Sequence, residues 1–224
     1  MTPKHAPILG LDMSTSVAHA CLLSPNGQRF CASASEGTQH SHSVLPLLTG
    51  LLQQAGMQWS DLKLLALGQG PGSFTGLRIA AASMAGINAS LQLPMWGISS
   101  LAISSMQCAQ DDTSKIWVIE DARVGEIFVG CYQHGKPLRD DVCCTLADLP
   151  QEQAAHYVCS SPVDVPFATW QQRPMIHSRA EAMAEWMYQH APTRTLHDLG
   201  TSLAPNYLQL SQAERQLEAR QHPS

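Results

Sequence analysis

Residues 68 to 78 read Gly-Gln-Gly-Pro-Gly-Ser-Phe-Thr-Gly-Leu-Arg. The run follows an apolar stretch, Leu64 to Leu67, and precedes a small-residue and apolar stretch, Ile79 to Leu93. The order is strand, glycine-rich turn, helix, which brings backbone N–H groups together at a helix N-terminus, where an anion can be held. Gly68, Gly70, Gly72 and Gly76 let the backbone turn tightly and come close to another group. Ser73 and Thr75 are candidate helix caps. The run lacks the Lys-Ser/Thr ending of a phosphate-binding P-loop, and its spacing is not that of a dinucleotide fingerprint. Three readings stay open: a structural turn, a docking surface for another protein, and a phosphate contact through Gly70, Gly72 and Ser73.

A second group is Asp12 with Ser14 and Thr15. An acid at a strand end followed by hydroxyls can hold Mg²⁺ and phosphate oxygens; the same residues also shape Asx and Ser/Thr turns. His40 and His42 stand two apart, which separates them around a helix, and they read as solvated or capping side chains. The seven cysteines are odd in number and show no CxxC spacing. That argues against a disulfide framework or zinc knuckle and for small core residues in a reducing cytoplasm. A two-metal nuclease needs clustered carboxylates. The segment His42 to Ala55 holds no acid and the Leu64 to Leu67 strand runs into Gly68-Gln69, so that class is excluded. Asp121, Arg123 and Glu126 bracket a turn at Gly125, read either as a hairpin with a local ion pair or as a motif lining a cleft.

These residues need elements to position them. Of 224 residues, 44% are hydrophobic, enough for a packed core, while only 14% are charged, against roughly 25% in soluble domains. Part of the surface must therefore be neutral or apolar, and a partner interface would account for it. The net charge of −5 and the scattering of 13 basic residues argue against stand-alone nucleic-acid binding. No apolar run reaches the length of a membrane span and no leader-like segment precedes the first strand, so a cytoplasmic protein is expected. Strands are predicted at Ile8 to Asp12, Val17 to Leu23 and Arg29 to Ser35, with a hairpin signal at Asn26-Gly27. A helix follows at His42 to Ala55, where Val44, Leu45, Leu48, Leu51 and Leu52 recur at helical spacing. Next come a strand at Leu64 to Leu67, a helix at Ile79 to Leu91, a strand at Met95 to Ile98 and a serine-capped helix at Ser99 to Cys108. Gln110 to Ser114 reads as a link between two lobes, 1–109 and 110–224. The second lobe holds strands at Ile116 to Glu120, Glu126 to Gln133, Asp141 to Thr145 and Tyr157 to Cys159, an irregular Pro162 to Pro174, and helices at Ala180 to His190 and Ser211 to Arg220. Three antiparallel strands extended by parallel strands with covering helices form the ribonuclease H-like layout. Two such lobes give an α/β, actin-like duplicated fold with mixed sheets.

The motifs resemble those of the TsaB (YeaZ) family, the partner proteins of a tRNA-modifying transferase. The resemblance rests on Ile8 to Thr15, on His40 to Pro46, on Gly68 to Arg78, on Glu120 to Phe128 and on Ala204-Pro205-Asn206-Tyr207-Leu208. It implies the actin-like fold and a largely non-catalytic role: binding the paralogous transferase TsaD in threonylcarbamoylation of the adenosine beside the anticodon, in tRNAs reading codons that begin with A. It implies the TsaE ATPase in the assembly and self-association as a homodimer through the face used for TsaD. No cofactor is required by the chain itself, with ATP or ADP left open in the partner complex. In the family that face is built from the first two helices. Here it is read as Leu47, Leu48 and Leu51, then Ser73, Phe74, Thr75 and Arg78, then Ala82, Ala85 and Ala89. In actin-like ATPases the positions of Asp12, Ser14 and Thr15 hold Mg²⁺ and phosphate, which keeps an ATP-dependent phosphotransferase as the alternative. Against it, residues 136 to 199 contain no glycine for adenosine contacts. A metallopeptidase lacks its HxxxH or HExxH pair.

Overall fold

The structure is a computed structural model that describes residues 6–35, 40–109, 114–191 and 199–209. Strand β1 (Ile8–Asp12) is buried at all five positions, which requires cover on both faces of its sheet. It pairs antiparallel with β2 (His19–Leu23), which pairs with β3 (Arg29–Ser33). On its other side it pairs in parallel with β4 (Leu64–Gly70), and β4 with β5 (Met95–Ser99). The sheet order is β3-β2-β1-β4-β5.

The second sheet repeats this order. Strand β6 (Ile116–Arg123) takes the place of β1. It pairs antiparallel with β7 (Glu126–Gln133), which in turn pairs with β8 (Lys136–Pro137) and β9 (Val142–Thr145). In parallel on the other side lie β10 (Ala155–Val158) and then β11 (Trp170–Gln172). Strands β1 to β5 all precede residue 110 and β6 to β11 all follow it.

Side-chain alternation along the strands divides the interior into layers. Leu9, Leu11, Leu65 and Leu67 point to α1 (His40–Gln54) and α2 (Phe74–Leu91), against Val44, Leu48, Leu51, Leu52 and Met84. Ile8, Cys21, Leu64 and Ala66 point the other way, to α3 (Ser100–Ser105) and α4 (Arg179–His190). Beneath those two helices lie Ile116, Val118, Phe128 and Tyr132 of the second sheet. Among the described residues the far face of that sheet, with Trp117, Ile119, Ile127 and Val129, is covered by Leu149, Phe167 and Trp170 rather than by helices. Helix α4 comes from the second half of the chain yet packs on β1, β2 and β3.

Several boundaries move from those the sequence suggests. Helix α2 starts at Phe74, not Ile79, because Ser73 caps it there, its side chain accepting from the Gly76 N–H at 3.2 Å; Thr75 is an exposed first-turn residue. Helix α3 ends at Ser105, short of Cys108, and Ser99 caps it through the N–H groups of Leu101 and Ala102. The irregular stretch before Pro174 contains β11. All seven cysteines are free. No helix among the described residues is long and apolar enough to cross a membrane. The helix expected at Ser211 to Arg220 and most of the Gln110 to Ser114 link lie outside the described residues.

Candidate functional site

The glycine run closes on the first hairpin of its own chain. A Cβ on Gly76 would lie 2.0 Å from the Met13 carbonyl oxygen, and one on Gly72 would lie 2.4 Å from that of Ser14. Only glycine lets the α2 N-terminus lie so close to the turn after β1. The amides of the loop are used there as well. Ser73 donates to the Ser14 carbonyl at 2.7 Å, Leu77 to the Ser73 carbonyl at 2.9 Å, and Gly70 to the Ser100 hydroxyl at 3.0 Å. Gly68, beside β1, leaves room for Asp12, whose Oδ1 would stand 2.0 Å from a Cβ there.

Asp12 is fully buried and its carboxylate is fully engaged. Oδ2 accepts from Arg179 Nε at 2.5 Å and from Ser14 Oγ at 3.0 Å; Oδ1 accepts from Ser100 Oγ at 3.1 Å and from the Ser14 N–H at 3.4 Å. Burial pushes the Asp12 carboxyl up, but the charge and hydrogen bond of Arg179 outweigh it and hold the group below the usual carboxylate range. Such a ligand set does not fit a hydrated Mg²⁺, since a guanidinium already fills the space in front of the carboxylate. Thr15 turns away from this group: its hydroxyl donates to the Val17 carbonyl at 3.0 Å and meets His19 Nε2 at 3.2 Å. Burial pushes the His19 ring down to about 4, with Asp12 opposing and Arg179 reinforcing the shift.

A second region lies on the outer face of α1 and α2. Thr75, Arg78, Ala82, Ala85, Gly86 and Ala89 are exposed, while Gly76, Leu77, Ala80, Met84 and Asn88 form the buried side of the same helix. On α1, Leu45 is 55% exposed and Pro46 is exposed beside it. Across these two helices Arg78 is the one residue of the Asp, Glu, Lys or Arg type. Leu48 and Leu51, read from sequence as partner contacts, are fully buried. Their spacing is the spacing of the core face, and Leu45, one step around the helix, is the exposed leucine. Leu47 is partly covered, and Ser73 is occupied as a cap. The side chains of His40 and His42 lie outside the described residues.

The late segment 199–209 runs over both regions. Its Gly200 carbonyl accepts from the Met95 N–H at 2.8 Å, and Asn206 N–H donates to the Gln69 carbonyl at 2.7 Å. Tyr207 packs on Phe74 at 4.7 Å between ring centroids, and Arg78 lies 4.0 Å over the Phe74 ring. Gln209 then reaches the hairpin of the second half, donating to the Ala122 carbonyl and to Glu126. In that hairpin Asp121 accepts the Arg123 N–H at 2.8 Å, a side-chain-to-backbone bond that shapes the turn. Arg123, Val124 and Gly125 all have positive φ, and Val124 at the tip is 84% exposed. Sequence reading misses Arg179 and Ser100 as partners of Asp12, because each meets it through the fold and carries no local signal, and it marks Tyr207 as part of a motif without its contact to Phe74.

Comparison with known proteins follows the same lines. The family model described as TsaD, tRNA N6-adenosine threonylcarbamoyltransferase, matches residues 34–172. A Buchnera aphidicola protein named tRNA threonylcarbamoyladenosine biosynthesis protein TsaB is 31% identical over 58% of this chain and 62% of its own length. The Escherichia coli protein of that name is 33% identical over 42% of each chain. The matched region thus spans less than two thirds of these curated relatives. Among solved structures, YeaZ from Pseudomonas aeruginosa is 27% identical with a TM-score of 0.62, covering 68% of this chain and 76% of the other. A further crystal structure, of an uncharacterised Pseudomonas aeruginosa protein with similarity to peptidase YeaZ, shares the fold at a TM-score of 0.71 and 24% identity, over 91% of this chain and all of its own.

Proposed function

The chain belongs to the TsaD family, where its relatives are the TsaB (YeaZ) proteins, and from that premise we propose that it is a non-catalytic partner in tRNA threonylcarbamoyladenosine biosynthesis. It binds the paralogous transferase TsaD through the outer face of α1 and α2 and supports modification of the adenosine beside the anticodon. TsaE joins the assembly, and the same helical face pairs two copies of the chain when TsaD is absent. In this reading the energetic role is selective: binding favours the active arrangement of the partner over others.

The observation that carries the proposal is the exposed, nearly charge-free face of α2. Ala82, Ala85, Gly86 and Ala89 line it, with Leu45 and Pro46 alongside on α1. A solvated helix ordinarily carries charge on its outer side. One built of small side chains lets a second helix come close, and burying it away from Arg78 costs no charge desolvation. Asp12 supports the non-catalytic part, because its carboxylate is bound by the chain's own groups.

Light scattering coupled to size exclusion tests the proposal. The chain is run alone, mixed with the TsaD paralogue of the same organism, and with ATP. A one-to-one complex that displaces a homodimer is the expected result. A chain that ignores TsaD and turns over ATP by itself would overturn the proposal and favour a phosphotransferase.

A further inference from the structure

The two sheets repeat one strand order, and each central strand carries an acid as its fifth residue: Asp12 in β1 and Glu120 in β6. Both follow residues of the shared inter-sheet layer, Ile8 in one strand and Ile116 and Val118 in the other. Between the two acids runs one hydrogen-bonded chain. Arg179 grips Asp12 through Nε at 2.5 Å and donates from one terminal nitrogen to Ser104 Oγ at 2.7 Å. From the other it donates to Ser14 Oγ and to the Ser100 carbonyl, both at 2.8 Å. Ser104 Oγ in turn donates a hydrogen bond to Glu120 Oε1 at 2.9 Å, and Glu120 also accepts from Ser160 Oγ at 2.7 Å. Arg179 is 6% exposed and Asp12 not at all.

This is the layer in which two facing strand-end carboxylates would hold a hydrated divalent cation, and the residues do not fit one. We propose that the Arg179 guanidinium is the resident cation of this layer: it neutralises Asp12, reaches Glu120 through Ser104, and ties α4 to β1 and α3 without any ligand. Several physical points support this. The fork shape of arginine satisfies several acceptors at once, which an ammonium cannot do. The cation is held at the first residue of α4, where the capping box of Ser178 and Glu181 fixes the helix start. A buried pair of this kind adds little or nothing to stability over well-packed apolar side chains, because desolvation offsets the attraction, but removing one member leaves a buried charge unpaired. The inter-sheet layer is therefore set in one arrangement by the sequence, whichever partner the outer helices bind.

The test is chemical rescue in the full chain. Arg179→Ala should lower the thermal midpoint by roughly 10 °C, and millimolar guanidinium should recover part of the loss while equal sodium chloride does not. Wild type should show no rise with guanidinium or with MgCl₂. An unchanged midpoint in Arg179→Ala, a folded variant that guanidinium fails to rescue, or a wild type stabilised by MgCl₂ would each overturn the proposal. If Arg179→Ala does not fold, the pair Asp12→Asn with Arg179→Met carries the test. Recovery of a cooperative transition is expected when both charges go, and its absence contradicts the assignment of Arg179 as the counter-ion of Asp12.

Discussion

Gly76 and Gly86 sit on the same helix and face opposite demands. A side chain on Gly76 would strike the Met13 backbone at 2.0 Å, whereas nothing lies within 4 Å of a Cβ on Gly86. Gly76→Ala is expected to destabilise by about 3 kcal/mol, the upper end of overpacking costs, because backbone cannot yield as a side chain can. Gly86→Ala should leave stability unchanged or raise it by about 0.5–1 kcal/mol, through the entropy of the unfolded chain and helix propensity. Denaturant titration of the two variants measures both. His19 sets a pH dependence, with Asp12 and Arg179 as the charges that face it. Its folded pKa of about 4 lies below the ordinary 6.5, so the unfolded chain binds the proton more readily. Stability is full above pH 6.5 and falls as the pH drops toward 4. The loss amounts to about 3 kcal/mol. His19→Gln should flatten the curve in that window, and an equal slope in the variant would contradict the assignment. Below it the Asp12 pair adds a further loss as its carboxylate is protonated, since its folded pKa lies under the ordinary value.

At the scale of elements, α1 and α2 separate into a buried face that holds the chain together and an exposed face, which the proposed partner would cover. Leu51→Ala, on the buried face, should cost about 2–5 kcal/mol of stability. Ala85→Glu, on the exposed face, should leave the unfolding midpoint nearly unchanged and abolish association with TsaD or with a second copy in size exclusion. The reverse pattern would place the interface elsewhere. The same helices show what sequence makes legible. Period 3.6 in Val44, Leu48, Leu51 and Leu52 announces α1, but periodicity marks the core side, and two of the three leucines nominated for the interface, Leu48 and Leu51, proved to be core. The apolar runs of β1, β2 and β4 and the Asn26-Gly27 turn were readable, as was the serine cap of α3. The repeat of sheet order in the second half was only partly readable. Helices α1 and α2 have no counterpart between β9 and β11, where a short 3₁₀ turn and an irregular chain stand in their place. Without that helical rhythm, β11 gave no periodic signal. The pairing of Asp12 with Arg179 spans 167 residues, and no local pattern encodes it.

For the whole molecule, two sheets of the same strand order enclose α3 and α4, and among the described residues only the first sheet carries an outer helical layer. The exposed small-residue face therefore belongs to one side of the molecule. Segment 199–209 ties that side to the β6–β7 hairpin through Tyr207 and Gln209. Under the proposed partner role, the molecule presents this one surface and performs no chemistry in its interior. The most direct measurement of that claim is reconstitution of tRNA threonylcarbamoylation with purified TsaD, TsaE and the threonylcarbamoyl donor, with and without this chain, reading modified nucleoside by mass spectrometry. The account predicts that modification rises strongly when the chain is added, that Ala85→Glu removes the effect, and that Asp12→Asn/Arg179→Met retains it once folded. Equal modification with and without the chain, or full support from Ala85→Glu, would contradict it.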